Sequence, residues 1–121
     1  MEKILVTTDL SANSKSAIRF AIQLAKQKKV ELIFLHVHQV LRASSWTDRQ
    51  YDNYVNKIEK NLLEDLSALV GSVYKSMKAG TGKYQLVVYQ YMVAVEGIIK
   101  FAKDNNCSYI CIGTSCAGRL R

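Results

Sequence analysis

Four short apolar runs punctuate the chain: Ile4-Leu5-Val6, Leu32-Ile33-Phe34-Leu35, Leu86-Val87-Val88 and Tyr109-Ile110-Cys111-Ile112. A strand with one wet face alternates apolar and polar residues. An unbroken apolar run suits a strand buried on both faces, as in a parallel sheet. Between the runs the apolar spacing changes to three and four. Ala17, Ile18, Ala21, Ile22 and Ala25 form one stripe. Tyr51, Val55, Ile58, Leu62, Leu66 and Leu69 form a second, and Val95, Ile98, Ile99 and Ala102 a third. Each stripe is that of a helix burying one side. The predicted order is strand (3–7), helix, strand (31–37), long helix from Asp48, strand (84–91), helix ending near Asn105-Asn106, and a last strand.

Local signals sharpen some boundaries. Ser11 or Asn13 can cap the first helix. Lys26, Lys28 and Lys29 gather at its C-terminal end, where the helix dipole favours cations. Residues 39–47 read as a loop holding the only tryptophan, Trp46, which is expected to cap the core beneath that loop. Residues 71–83 read as a basic connector that follows the fraying of the long helix.

Strands that alternate with helices predict an α/β domain: an open parallel sheet, covered on both faces, with right-handed crossovers. The loops after the strand C-termini then share one edge, where open sheets of this kind bind ligands. Those loops are residues 7–13, 37–46, 90–93 and 113–121.

Composition narrows the class. A length of 121 residues predicts one domain, and 49% apolar residues suffice for a core. A charged fraction of 22% with interspersed aromatics argues against disorder. No apolar run approaches the ~20 residues needed to span a bilayer. The opening Met-Glu-Lys runs straight into a strand pattern, unlike a signal peptide, so the chain reads as cytoplasmic. The net charge of +7 is uneven: residues 72–121 hold seven basic and two acidic side chains. Such an excess attracts phosphates. The basic residues are scattered without interleaved aromatics, which argues against nucleic acid as partner.

Cys107, Cys111 and Cys116 are spaced by four and five, unlike the C-x-x-C pairs of zinc and redox sites. They read as reduced, mostly buried thiols. His36 and His38 share one strand face, a geometry that permits metal binding, but no metal site is expected. Tyr84, Tyr89 and Tyr91 read as strand packing. No Ser, His and Asp pattern suggests a triad, and no general base stands beside a phosphate site, so enzymatic activity is not expected.

Two strand ends carry candidate binding chemistry. The first strand ends in Thr7-Thr8-Asp9. A carboxylate there can accept from an exocyclic amine, and a hydroxyl can serve a ribose or base. Asp9 can equally bond the backbone of the turn that opens the helix. The last strand runs into Gly113-Thr114-Ser115-Cys116-Ala117-Gly118. Small residues let backbone N–H groups approach a phosphate, although any tight turn favours them too. Neither the P-loop nor the G-x-G-x-x-G fingerprint is present.

Taken in order, three segments resemble the universal stress protein family. Ile4-Leu5-Val6-Thr7-Thr8-Asp9-Leu10-Ser11 with Asn13, Ser14 and Ala17 is similar to its opening strand, Pro-Thr-Asp-Phe-Ser turn and helix. Leu35-His36-Val37 resembles the end of its second strand. Ile110-Cys111-Ile112-Gly113-Thr114 resembles the strand that enters its G-x-x-G-x9-G-[ST] loop. The resemblance covers nearly the whole chain. It implies a Rossmann-like sheet of order 3-2-1-4-5, often in a homodimer, and in many members a bound ATP or related adenine nucleotide. Carried over, Asp9 and Val37 would face the adenine, with Thr7 and Thr8 near base and ribose. Ile112, Gly113, Thr114, Ser115, Cys116 and Gly118 would approach ribose and phosphates. An alternative within the family is a protein that binds no nucleotide and acts through dimerisation or another protein contact.

The departures from the family pattern carry expectations of their own. Thr7 replaces a proline. Cys116 replaces a loop glycine, and its Cβ would crowd an approaching phosphate. The final Gly-[ST] pair, the fourth helix and the fifth strand do not follow, so a C-terminally incomplete domain of order 3-2-1-4 is expected, with an exposed last strand that either another chain covers or a longer protein completes. Any dimer would then use an edge other than the family's usual one.

Overall fold

The computed structural model describes residues 2–79 and 83–113. The elements follow the order β1 (Glu2–Thr8), a short 3-10 turn (Ala12–Ser14), α1 (Lys15–Gln27), β2 (Val30–His38), α2 (Asp48–Ser76), β3 (Tyr84–Gln90), α3 (Ala94–Asp104) and β4 (Tyr109–Gly113). The strands form one sheet of order β3-β2-β1-β4, and every pairing is parallel. Ile4 lies between Leu32 and Tyr109, and Thr7 between Leu35 and Ile112.

The unbroken apolar runs have the expected cause, because the central strands are covered on both sides. Ile4, Val6, Leu32 and Phe34 pack with Ile18, Ala21 and Ile22 of α1 and with Leu66, Val70 and Val73 of α2. The intervening Leu5, Ile33 and Leu35 face Ala102, Ile98 and Phe101 of α3. Right-handed crossovers demand this division. The chain steps from β1 to β2 to β3 in one direction, laying α1 and α2 on one face. It then returns past β1, which puts α3 on the other.

The helix boundaries differ from expectation in informative ways. The long helix does not fray at Gly71 but runs to Ser76. Val70 and Val73 are fully buried, and burying each stabilises by roughly 1.5–3 kcal/mol. A glycine in a helix costs only about 1 kcal/mol, so packing wins. At its start, Thr47 and Gln50 form a capping box, with the Gln50 amide donating to Thr47 Oγ1 at 3.1 Å. Neither Ser11 nor Asn13 caps α1. Its N-cap is Ser14, whose side chain makes no capping bond because it is buried and committed elsewhere.

Two further readings need correction. Val95 and Ile99 do not bury; they are 65% and 45% exposed, while Gly97 and Ala102 form the buried side of α3. Trp46 does not cap the core; its ring packs on Tyr54 of α2 at 4.8 Å. The tyrosines do pack as expected. Tyr84 stacks on Tyr74 at 4.9 Å and meets Phe34 edge-on, while Tyr89 lies beside Tyr91 and Phe101. His38 is buried and bonds Glu59 of α2 through Nε2 at 3.0 Å. Cys107 and Cys111 are free and half-buried, and burial pushes both thiols up.

Candidate functional site

β1 is the strand at which the order of connection reverses, since its neighbours are β2 and β4. Reversal separates the helices that leave adjacent strands and opens a crevice beyond the strand C-termini. β1 ends there in Thr7-Thr8-Asp9. Thr7 sits opposite Ile112, and Thr8 opposite Gly113. On the other side β2 continues past Leu35, the partner of Thr7, through His36 and Val37 to His38. The first-strand, second-strand and fourth-strand candidates therefore converge on one edge.

Their availability differs. Thr8 is buried, and its hydroxyl donates to Ser14 Oγ at 2.6 Å while accepting from the Leu10 amide at 3.0 Å. Ser14 in turn donates to the Ser11 carbonyl at 2.7 Å. Thr8 is thus a fastener of the turn, with its proton already committed. Thr7 is buried too; its hydroxyl lies 3.5 Å from the Cys111 carbonyl, a weak contact that a ligand can replace.

Asp9 is exposed. Its Oδ1 accepts from the Ser11 amide at 3.0 Å and the Ser11 hydroxyl at 2.5 Å. The local turn and the ligand roles are therefore compatible: both turn bonds fall on Oδ1, leaving Oδ2 directed to neither. Partial burial pushes the carboxyl up, but the bonds from Ser11, its own amide and the nearby His36 outweigh that and hold it below the usual 3.8. At neutral pH the site carries a fixed acceptor. Leu10 takes φ 67, a left-handed conformation that costs a leucine roughly 1–2 kcal/mol. The Thr8 and Asp9 bonds on either side of it hold this turn.

Two residues that the sequence did not place at this site complete the geometry. His36 Nδ1 donates to the Thr8 carbonyl at 2.8 Å, which ties β2 to the end of β1 and sets the ring beside Asp9. A carbonyl only accepts, so Nδ1 carries a proton. Gly97, buried in α3, has no room for a Cβ. One would lie 2.8 Å from Tyr91 Cβ and 3.1 Å from Val37 Cγ1. The absent side chain lets α3 press on Val37. A lone glycine inside a helical stripe is the sequence signal for such a close approach.

Ile112 is 38% exposed, on the sheet face shared with Leu5 and Thr7. Gly113 closes β4. Thr114, Ser115, Cys116 and Gly118 lie outside the described residues. Among the described residues no group of three or more His, Cys, Asp or Glu could hold a metal ion. None of their helices is long and apolar enough to cross a membrane.

Comparison with known proteins agrees with this fold. The profile of the universal stress protein family matches residues 1–121. A universal stress protein family member from Burkholderia pseudomallei superposes with a TM-score of 0.66 at 17% identity, covering 98% of this chain and 85% of that one. The Archaeoglobus fulgidus universal stress protein in complex with dAMP gives 0.60 at 20% identity, over 93% of this chain and 80% of its own. An Arabidopsis thaliana family protein with AMP bound gives 0.59 at 14% identity, over 94% and 77%. Among curated proteins none matches. At these identities the structures establish a shared fold.

Proposed function

The chain belongs to the universal stress protein family, and we propose that it is a regulatory module that binds an adenine nucleotide at the C-terminal edge of β1. One observation carries this reading: an exposed, ionised Asp9 stands at the strand-order reversal, near His36 and directly after Thr8, the residue paired with Gly113. Asp9 Oδ2 would accept the exocyclic amine of adenine. Val37, backed by Gly97, would supply an apolar surface for the base. Thr7 would lie near base and ribose, with Thr8 as the support that shapes the turn. Ile112, Gly113 and the stretch Thr114, Ser115, Cys116 and Gly118 would form the ribose and phosphate side. The dAMP and AMP held by two structures of similar fold support the choice of ligand. The role requires binding alone.

Titration calorimetry with AMP and ATP tests the reading. Saturable binding is expected, with Asp9→Ala weakening it roughly ten- to 150-fold, the loss of one hydrogen bond to a charged group at about 1.5–3 kcal/mol. No binding at millimolar nucleotide would overturn it. Unchanged affinity in the variant would remove Asp9 from the site.

A second reading has its own observation. Tyr109, Ile110 and Ile112 of β4 are 53%, 42% and 38% exposed, and β4 pairs only with β1 among the described residues. An apolar strand edge of this kind recruits another chain. In this reading a second copy covers β4, and dimerisation rather than a nucleotide is the output.

A further inference from the structure

The sheet edge opposite Asp9 holds a second concavity. A cleft of about 650 Å³ opens where α1 and α2 both end, over the start of β2. That volume falls within the 300–1,000 Å³ typical of small-molecule sites. Its floor is apolar: Ile22 of α1, Leu32 of β2 and the ring of Tyr74 of α2. Its rim is basic, with Lys26, Lys28, Lys29 and Lys83 all lining it and all exposed.

Lysines at a helix C-terminus ordinarily answer the helix dipole, and that role must be subtracted first. Two helix ends contribute roughly half a negative charge each, so they account for about one of the four cations. The sole acid along the cleft is Glu31. By strand alternation it points with Ile33 toward the α3 face, opposite Lys3 of β1 and away from the α1–α2 side. An excess of positive charge therefore remains above an apolar floor.

We propose that this cleft binds a fatty-acid anion, its tail on Ile22, Leu32 and Tyr74 and its carboxylate among Lys26, Lys28, Lys29 and Lys83. Lysine ammonium groups serve as point charges on flexible stems, which suits a single monoanionic head whose depth varies with chain length. Burial and the neighbouring Tyr84 push the Tyr74 hydroxyl up to about 12, so it stays a donor across the physiological range. The proposal is independent of nucleotide binding, because the cleft and Asp9 lie at opposite ends of the strands.

The test is calorimetric titration of the full chain with sodium dodecanoate below its micellar range. One saturable site is expected. The triple variant K26Q/K28Q/K29Q should weaken it at least tenfold, and dodecyltrimethylammonium should not bind in the same range. Asp9→Ala and Ile110→Lys should leave it unchanged, which separates the cleft from both the nucleotide edge and the apolar face of β4. Absence of a saturable site, equal affinity in the triple variant, or equal binding of the cationic amphiphile would overturn the proposal. Tenfold tighter binding of dodecyl phosphate would overturn the carboxylate assignment.

Discussion

Gly97 sets the distance between α3 and Val37, so a residue inside a helix governs the shape of the surface on which the proposed function lays the base. Replacing it with alanine gains about 1 kcal/mol of helix propensity but overpacks a filled contact, which typically costs 1–3 kcal/mol. The nearest atom is Tyr91 Cβ, held by the backbone and unable to swing aside. Gly97→Ala is therefore expected to lower the urea midpoint by an amount equivalent to about 1 kcal/mol and to weaken AMP binding as well. A variant as stable as the parent would show that Tyr91 and Val37 yield freely. Asp9 illustrates a different dependence. Its depressed pKa means that the turn's contribution to stability is present above the unfolded value near 3.8 and is lost as pH falls through the lower folded value. Nothing in that contribution changes near neutral pH, so a pH effect on binding between 6 and 8 would have to arise elsewhere.

At the scale of elements, α2 binds the sheet through its C-terminal half. Leu66, Val70 and Val73 are buried, and Tyr74 stacks on Tyr84 of β3. Tyr74 makes this docking sensitive to alkali. Its folded pKa of about 12 exceeds the ordinary 10.0, so between those values the unfolded chain has lost a proton that the folded chain keeps. Stability then falls as pH rises. Relative to Tyr74→Phe, the parent is expected to lose thermal stability between pH 10 and pH 12, with no divergence below pH 9. Parallel curves across that window would show that the Tyr74 hydroxyl is solvated. Among the described residues, the element that keeps an uncovered apolar face is β4. Its Ile110 and Ile112 point to the same face as α3, where Val95 and Ile99 are also uncovered.

For the whole molecule the question is what lies on that face. If a second copy does, sedimentation should give twice the chain mass, and Ile110→Lys should give the monomer with AMP binding intact. Monomeric parent protein would set the dimer reading aside. Such a face could not be read from the stripes, because periodicity reports which residues are apolar and not whether a neighbour arrives. Val95 and Ile99 fit a helical stripe as well as Ile98 and Ala102 do, yet only the latter meet the sheet. Trp46 likewise looked like a core residue by composition, and its loop laid it on Tyr54 instead.

The parallel α/β class, the order of elements and the candidate edge were legible in the sequence, because two-sided burial and one-sided burial impose different periods on neighbouring residues. The same holds for Asp9, whose place after an apolar strand and before a capping-rich turn marked it out. Only the tertiary structure decided that the Thr8 hydroxyl is committed to Ser14, that His36 anchors the β1 end, that Gly97 admits Val37, and that four lysines surround one apolar floor. Each depends on atoms brought together from distant positions or on which of two partners a hydroxyl chooses, and neither is encoded in local spacing.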